Sequence, residues 1–214
     1  MDRYQRVKEL IPEDFNTFQN LKILLFGAGG VGSVCLECLY RSGVTDITVV
    51  DGDTFDITNQ NRQLGSEEGL GQYKVQYFAK TKGIVPIVAK VDAQWAKEFD
   101  FTPYDIVIDA IDDMDAKVAI AHRCYTKLLS ATGSARKFDP TKIEVASIWK
   151  TTNDPLAKKF RYELKKSGFS GDFSTVYSKE NAHKNIGSFM GVTGSFGLTL
   201  CSLVLQKVRM QNRS

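Results

Sequence analysis

The chain has 214 residues, a length that suits one generous domain or two very small ones, and one is the simpler reading. Hydrophobic residues make up 43% and charged residues 25%, which supplies a buried core and excludes a disordered tail or a fibre. The formal charge of +3, from 28 basic and 25 acidic residues, is too small to mark a nucleic-acid binder on bulk composition, so any such reading rests on local charge.

The N-terminal MDRYQRVKELIPEDF is charged and has no apolar stretch of signal-peptide type, so a cytoplasmic location is expected. A helix is expected to open at Pro12, with Glu13 and Asp14 favourable in its first turn. Lys22 to Phe26 reads as a strand, followed by the Gly-rich GAGGVG. An amphipathic helix comes next, with Val31, Val34, Cys35, Cys38 and Leu39 on one face and Gly43 as a left-handed stop. That spacing puts the lone Cys35-x-x-Cys38 into core packing; with no second pair, a zinc site is not expected. Ile47 to Val50 is a second strand and ends in Asp51.

Further on, Gly71 to Val85 reads as a helix stopped by Pro86, Ile87 to Val91 as a strand, and Asp105 to Asp109 as a buried strand. Ala116 to Leu129 reads as helix, and Leu128 to Ala131 leads into another strand. The composition shifts at Arg136, dividing the single domain into a nucleotide-binding half, 1–135, and a second half, 136–214. In the latter, Ile143 to Trp149 is strand-like, a helix starts at Pro155, and a Gly/Ser-rich loop lies around 167–174. Phe196 to Val208 is apolar, but Gly197, Thr199, Ser202, Gln206 and Lys207 make it a core helix rather than a membrane span. Four cysteines in such a chain argue for reduced thiols.

Strand, Gly-rich turn, helix, strand is the opening of a Rossmann-like, doubly wound α/β sheet with mainly parallel strands. Gly27, Gly29 and Gly32 form the dinucleotide fingerprint, in which glycines allow a tight turn and let backbone amides approach a phosphate at the helix N-terminus. Asp51, at the end of the second strand, is placed to accept hydrogen bonds from a ribose. Beyond it, Arg62 and Lys74 supply two cations near the same turn, which suits a triphosphate better than a hydride-transfer cofactor. Asn59, Asn61 and Gln63 either orient phosphate oxygens or form turns. Asp109 and Asp112 lie at the C-terminal edge of a strand, where a carboxylate can hold Mg²⁺ between phosphates. Helix N-capping is the competing role for Asp112 and Asp113, and the stronger one for Asp113.

RYQR at 3–6, GAGGVGS at 27–33, RSGV at 41–44, DGDT at 51–54, NQNRQ at 59–63, Lys74 and DAID at 109–112 together resemble the ubiquitin-activating-type (E1-like) adenylating enzymes. These activate a carboxylate as an acyl-adenylate. The resemblance implies an E1-like extension of the Rossmann-like sheet and an ATP site built from Gly27, Gly29, Gly30, Gly32, Asp51, Asp53, Asn59, Asn61, Arg62, Gln63, Lys74 and Asp109. It gives Arg62 and Lys74 to the ATP phosphates and Asp112 to Mg²⁺. It also implies a homodimer in which Arg6 reaches into the neighbour's site.

Relatives that charge ubiquitin-like proteins often use a crossover cysteine or paired zinc motifs, and this chain has no cysteine between Cys124 and Cys201. Cys124 itself shares a helical face with Ala121 and Leu128, which makes it structural. GSARKFDPTKI at 133–143, KTTNDPLAKKFR at 150–161, VYSKE at 176–180 and GSFMGVTGSFGLTL at 187–200 resemble the tRNA threonylcarbamoyladenosine dehydratase branch. That branch uses ATP to cyclise the threonylcarbamoyl group on adenosine 37 of tRNA.

Between Arg136 and Lys184 the chain carries eleven basic and six acidic residues, an excess placed where a tRNA would be held. Arg136, Lys137, Lys158, Lys159 and Arg161 are the candidate phosphate contacts. Phe138, Trp149, Phe160 and Tyr177 are either a stacking face or core. His122 and His183 form no metal constellation. Two other readings stay open: adenylation of the C-terminal glycine of a small sulfur-carrier protein, with a sulfur-mobilising protein as partner, and a nicotinamide-binding oxidoreductase or non-catalytic nucleotide-binding module.

Overall fold

A computed structural model describes residues 2–213. Two short helices, α1 (Gln5–Leu10) and α2 (Phe15–Gln19), precede β1 (Lys22–Phe26), α3 (Gly32–Ser42), β2 (Asp46–Val50), α4 (Lys74–Lys82) and β3 (Val85–Ile87). The chain continues through α5 (Ala93–Glu98), β4 (Ile106–Asp109), α6 (Met114–Cys124) and β5 (Leu128–Ala131). It ends with β6 (Ile143–Ser147), α7 (Pro155–Lys166), β7 (Ser174–Ser178) and α8 (Met190–Gln211).

One seven-stranded sheet runs in the order β3-β2-β1-β4-β5-β7-β6. Every pairing is parallel except β6 with β7. Alternate residues of β1 serve two cores: Ile23 and Leu25 pack towards α3 and α8, Leu24 and Phe26 towards α6 and α7. Both faces of the sheet are therefore covered, which is why its central strands read as continuous apolar runs. The chain leaves β1 towards β2 on one side and returns as β4 on the other. That reversal opens a crevice at the carboxyl ends of β1 and β4, the usual ligand position in such sheets.

The doubly wound α/β expectation stands, as do the β1–α3–β2 unit and the Gly43 stop, whose φ is 110°. Five local readings need correction: the helix expected over 116–129 ends at Cys124, the strand expected over 143–149 ends at Ser147, and three more lie nearer the N-terminus. Pro12 falls in the turn between α1 and α2; the second helix starts at Phe15, which lets Phe15 and Phe18 bury. Asp14 instead takes a hydrogen bond from Asn212 (2.9 Å) and an ion pair from Arg209 (3.3 Å) at the end of α8. The helix expected over 71–85 is shorter, because Lys74 begins α4 and Gly83, with φ 70°, ends it.

Pro86 is no stop signal. It lies inside the edge strand β3, opposite Val49, where a missing donor is tolerated; the strand expected at 87–91 is accordingly at 85–87. The periodicity did not announce α1, α5 or β7. No helix among the described residues is long and apolar enough to cross a membrane, and α8 turns Val192, Phe196, Leu200 and Val204 into the core.

Candidate nucleotide-binding site

The crevice is a cavity of about 830 Å³ lined by the Gly27–Val31 turn, Asp51 to Thr54, Asn59, Arg62, Gln63 and Lys74. Its other walls are Ala89 to Val91, Ala110 to Asp113, Ala131 to Ala135, Leu156, Ser188 and Thr193. The turn depends on glycine at two points. Gly27 has φ 89°, and a Cβ on it would lie 2.7 Å from the Ala110 carbonyl oxygen; a Cβ on Gly32 would overlap the Gly27 carbonyl. No carbonyl among the described residues accepts from the amides of Gly29, Gly30 or Val31, three residues that line the crevice, so these donors are left available.

Asp51 braces this turn. Its carboxylate accepts from the Ala28 amide at 2.7 Å and the Asp53 amide at 2.8 Å, and two ionised oxygens still have lone pairs to offer a ligand. Lys74 is the first residue of α4, anchored at the backbone by a bond from its own amide to the Asp53 carbonyl; its side chain is 5% exposed and its ammonium 3.0 Å from the Asp53 carboxylate. Arg62 donates to the Thr58 carbonyl (2.9 Å) and Asn61 Oδ1 (2.8 Å). Its stem runs along the turn, 3.2 Å from where a Gly30 Cβ would be. Both cations thus line one cavity with the Gly-rich turn.

The three carboxylates after β4 separate cleanly. Asp113 caps α6 by accepting from the Ala116 amide. Asp112 lines the cavity, exposed, with no hydrogen bond or ion pair among the described residues.

Asp109 has to be removed from the nucleotide site. It is fully buried, paired with Lys117 at 2.7 Å and accepting from Ser130 at 2.7 Å. Lys117, which sequence reasoning missed, also donates to the Ile111 and Ala131 carbonyls, at 3.2 and 2.8 Å. It thereby ties together the ends of β4 and β5 that form the cavity wall. The available signal was a lysine among Ala116, Ala119 and Ile120 on an otherwise apolar helix face.

Asn61 is also corrected. It lies outside the cavity and holds the C-terminal loop by donating to the Ser188 carbonyl at 2.9 Å. Asn59 lines the cavity, but its side chain closes a capping box with Asp56. Gln63 lines it with a buried amide. Arg6 sits on α1 with its side chain 95% exposed, 3.9 Å from Glu9.

Among the candidate phosphate contacts, Lys137 is corrected: its ammonium is buried against Asp154 at 2.8 Å and the Gly133 carbonyl at 2.7 Å, leaving nothing for a phosphate. Arg161 is half-buried and donates to Thr151. Arg136, Lys158 and Lys159 are exposed. Phe138 is exposed and stacks on His183 with ring centres 4.2 Å apart; Phe160 and Tyr177 are core. Among the described residues no three His, Cys, Asp or Glu side chains form a metal cluster.

None of the four cysteines lines the cavity. Burial pushes the Cys124 thiol up to about 12 and also raises Cys35, while contact with Cys38 first and burial second raise Cys201. Such thiols are poor nucleophiles. Cys38 is shifted down, chiefly by its hydrogen bond with Cys201.

This fold and crevice define a doubly wound α/β domain with a Gly-rich turn and two cationic side chains on one cavity. The chain belongs to the ThiF family, whose model matches residues 2–185. It is 38% identical over 181 residues to the tRNA threonylcarbamoyladenosine dehydratase of Bacillus subtilis, an alignment covering 79% of this chain and 71% of that protein. The crystal structure of the Escherichia coli tRNA N6-threonylcarbamoyladenosine dehydratase in complex with AMP superposes with a TM-score of 0.93 at 29% identity, covering 99% of this chain and 96% of that one. The ATP complex of the same enzyme gives 0.92, again at 29% identity, with 99% and 95% covered. The chain spans about two thirds of the length of the bacterial dehydratases it matches and about two fifths of that of the two from Saccharomyces cerevisiae.

Proposed function

We propose that this chain is an ATP-dependent tRNA threonylcarbamoyladenosine dehydratase, which adenylylates the carboxylate of N6-threonylcarbamoyladenosine at position 37 of tRNA and lets it cyclise. The observation that carries the reading is that Arg62, Lys74 and the Gly-rich turn line one cavity, in a chain similar to named dehydratases across most of its length.

Asp51 takes the ribose, and the free amides of the turn take phosphate oxygens. Gln63 flanks the phosphates, and Asp53 holds the Lys74 ammonium in place. A carboxylate oxygen of the substrate attacks the α-phosphorus and pyrophosphate leaves, while Arg62 and Lys74 stabilise the charge gathering on the phosphate oxygens. A nucleophilic atom of the adjoining carbamoyl unit then attacks the acyl carbon and AMP leaves, for a net loss of water. Nucleophile and electrophile are tethered in one substrate, so proximity drives the second step without an enzyme thiol. The buried cysteines, all outside the cavity, agree with that.

Asp112 fits a divalent cation carried in with the nucleotide: Mg²⁺ takes one or two protein carboxylates plus phosphate oxygens, and this one is unpaired on the cavity wall. Mg²⁺ held there would neutralise phosphate charge. The tRNA is assigned to the 136–214 half, through Arg136, Lys158 and Lys159. Arg6, reaching solvent from α1, is assigned to the neighbouring site of a homodimer. The location is taken to be cytoplasmic, where tRNA is found.

The test is to incubate the protein with ATP, Mg²⁺ and tRNA bearing the modified nucleoside, and to look by mass spectrometry for loss of one water there. Activation of a sulfur-carrier protein would instead show ATP–pyrophosphate exchange that needs the carrier and no tRNA.

A further inference from the structure

Three buried polar side-chain atoms among the described residues have no partner: Gln63 Oε1, Thr175 Oγ1 and Thr193 Oγ1. Two of these residues, Gln63 and Thr193, line the cavity beside the Gly-rich turn. Buried polar groups without partners are rare in folded proteins and costly, so a pair of them on one cavity marks a place where a ligand completes the bonding.

Thr193 lies in the first turn of the 22-residue α8 and is 3% exposed. A helical threonine ordinarily returns its hydroxyl to the carbonyl four residues back. Ser195 and Thr199 on the same helix do so, to Gly191 at 2.6 Å and Ser195 at 2.7 Å. Thr193 forgoes that bond. Its hydroxyl is turned towards the Gly-rich turn, 3.2 Å from where a Gly30 Cβ would stand, and the Arg62 stem meets the same point at 3.2 Å.

Around that point lie the amides of Gly29 to Val31, which no carbonyl among the described residues engages, the stem of the cationic Arg62 and the N-terminal end of α8, all favourable to negative charge. An unpaired hydroxyl among them finds its complement in an anionic oxygen. We propose that Thr193 is a binding residue of the adenylation site, its hydroxyl donating over Gly30 to an anionic oxygen of the reacting groups. This rests on the adenylation reading above. Two oxyanions meet there in that reaction, the nucleotide's α-phosphate and the substrate carboxylate.

Thr193→Val removes the hydroxyl and keeps the shape; Thr193→Ser keeps the hydroxyl. ATP affinity is measured by calorimetry with Mg·ATP alone, and AMP release with the modified tRNA. A hydrogen bond to a charged oxygen is worth about tenfold or more. If the acceptor is the α-phosphate, the valine variant binds ATP about tenfold more weakly. If it is the carboxylate, ATP affinity holds while kcat/KM for the tRNA falls about tenfold. In both cases serine restores the loss, and the nucleotide-free valine variant melts no lower than the parent, because only an unpaired hydroxyl has gone.

Valine within about twofold of the parent in both assays, or serine failing to restore, overturns the proposal. Should the parent leave the tRNA unchanged, the functional reading falls and the ATP arm decides Thr193 alone: weaker binding keeps it, and unchanged binding removes it.

Discussion

Arg62 and Asp109 show how two charged residues near one crevice come to opposite uses. Arg62 lines the cavity and its guanidinium is held by the Thr58 carbonyl and Asn61, which on the proposed reading preorganises it for charge that develops on phosphate. Arg62→Ala is expected to cut AMP release by about a hundredfold or more while circular dichroism and melting stay near the parent's. Retained turnover would take Arg62 out of the site. Asp109 has no solvent and no route to a ligand; Lys117 and Ser130 satisfy it. Lys117→Met leaves that carboxylate buried and uncompensated, and is expected to lower unfolding stability by about 3–5 kcal/mol in urea titrations.

Helix α8 and the loop before it form part of the cavity wall, through Thr193 and Ser188. α8 packs closely on α3, where a Cβ on Gly197 would stand 2.5 Å from the Val31 carbonyl oxygen and 2.8 Å from the Cys35 amide. Gly197→Ala therefore forces the two helices apart, at a cost of about 1–3 kcal/mol, read as a lower melting temperature together with weaker ATP binding, since Val31 ends the Gly-rich turn.

The loops around 133–139 and 180–188 are clasped by Glu180, which accepts from the Phe138 and Asp139 amides and contacts the His183 ring at 2.9 Å. Burial alone would raise the Glu180 carboxyl, but these bonds outweigh it and hold it below the usual value of 4.5. A carboxylate whose folded value is depressed stabilises above its unfolded value and loses that contribution as pH falls through the folded one. Acidification below 4.5 is thus expected to loosen the clasp, seen as faster hydrogen exchange at Phe138 and Asp139 after correction for the intrinsic rate. Unchanged protection would show that Glu180 does not hold it.

Across the whole molecule, charge is sorted by pairing rather than by composition. Lys137 is buried against Asp154 and Lys142, Lys166 and Lys179 make surface ion pairs with Asp139, Glu163 and Glu144, while Arg136 donates to the His183 carbonyl and Lys158 and Lys159 stay exposed. The tRNA reading then predicts binding that weakens steeply with salt. The double variant Lys158→Glu, Lys159→Glu should flatten the slope of log affinity against log salt by about one to two without changing which tRNAs are preferred. A slope equal to the parent's would place the RNA elsewhere.

Much of this was readable along the chain. The Gly27–Gly32 turn, the strands on either side, Asp51 and the paired cations Arg62 and Lys74 are recognisable because turn chemistry and hydrophobic period act over a handful of neighbouring residues. Pro86 misled for the same reason: its effect depends on whether its missing donor faces a neighbouring strand, and here it lies on the sheet edge.

Asp109 and Asp112 look alike in sequence, yet one is enclosed by Lys117 and Ser130 while the other faces the cavity. Lys137 reads as a surface cation until Asp154, brought by the approach to α7, removes it from solvent. Thr193 could not be singled out at all before α8 was laid against Gly30. Local pattern established the class of fold and placed the Gly-rich turn; whether a given charge or hydroxyl meets solvent, a partner or a ligand depended on atoms delivered from distant parts of the chain, and no short-range pattern encodes those.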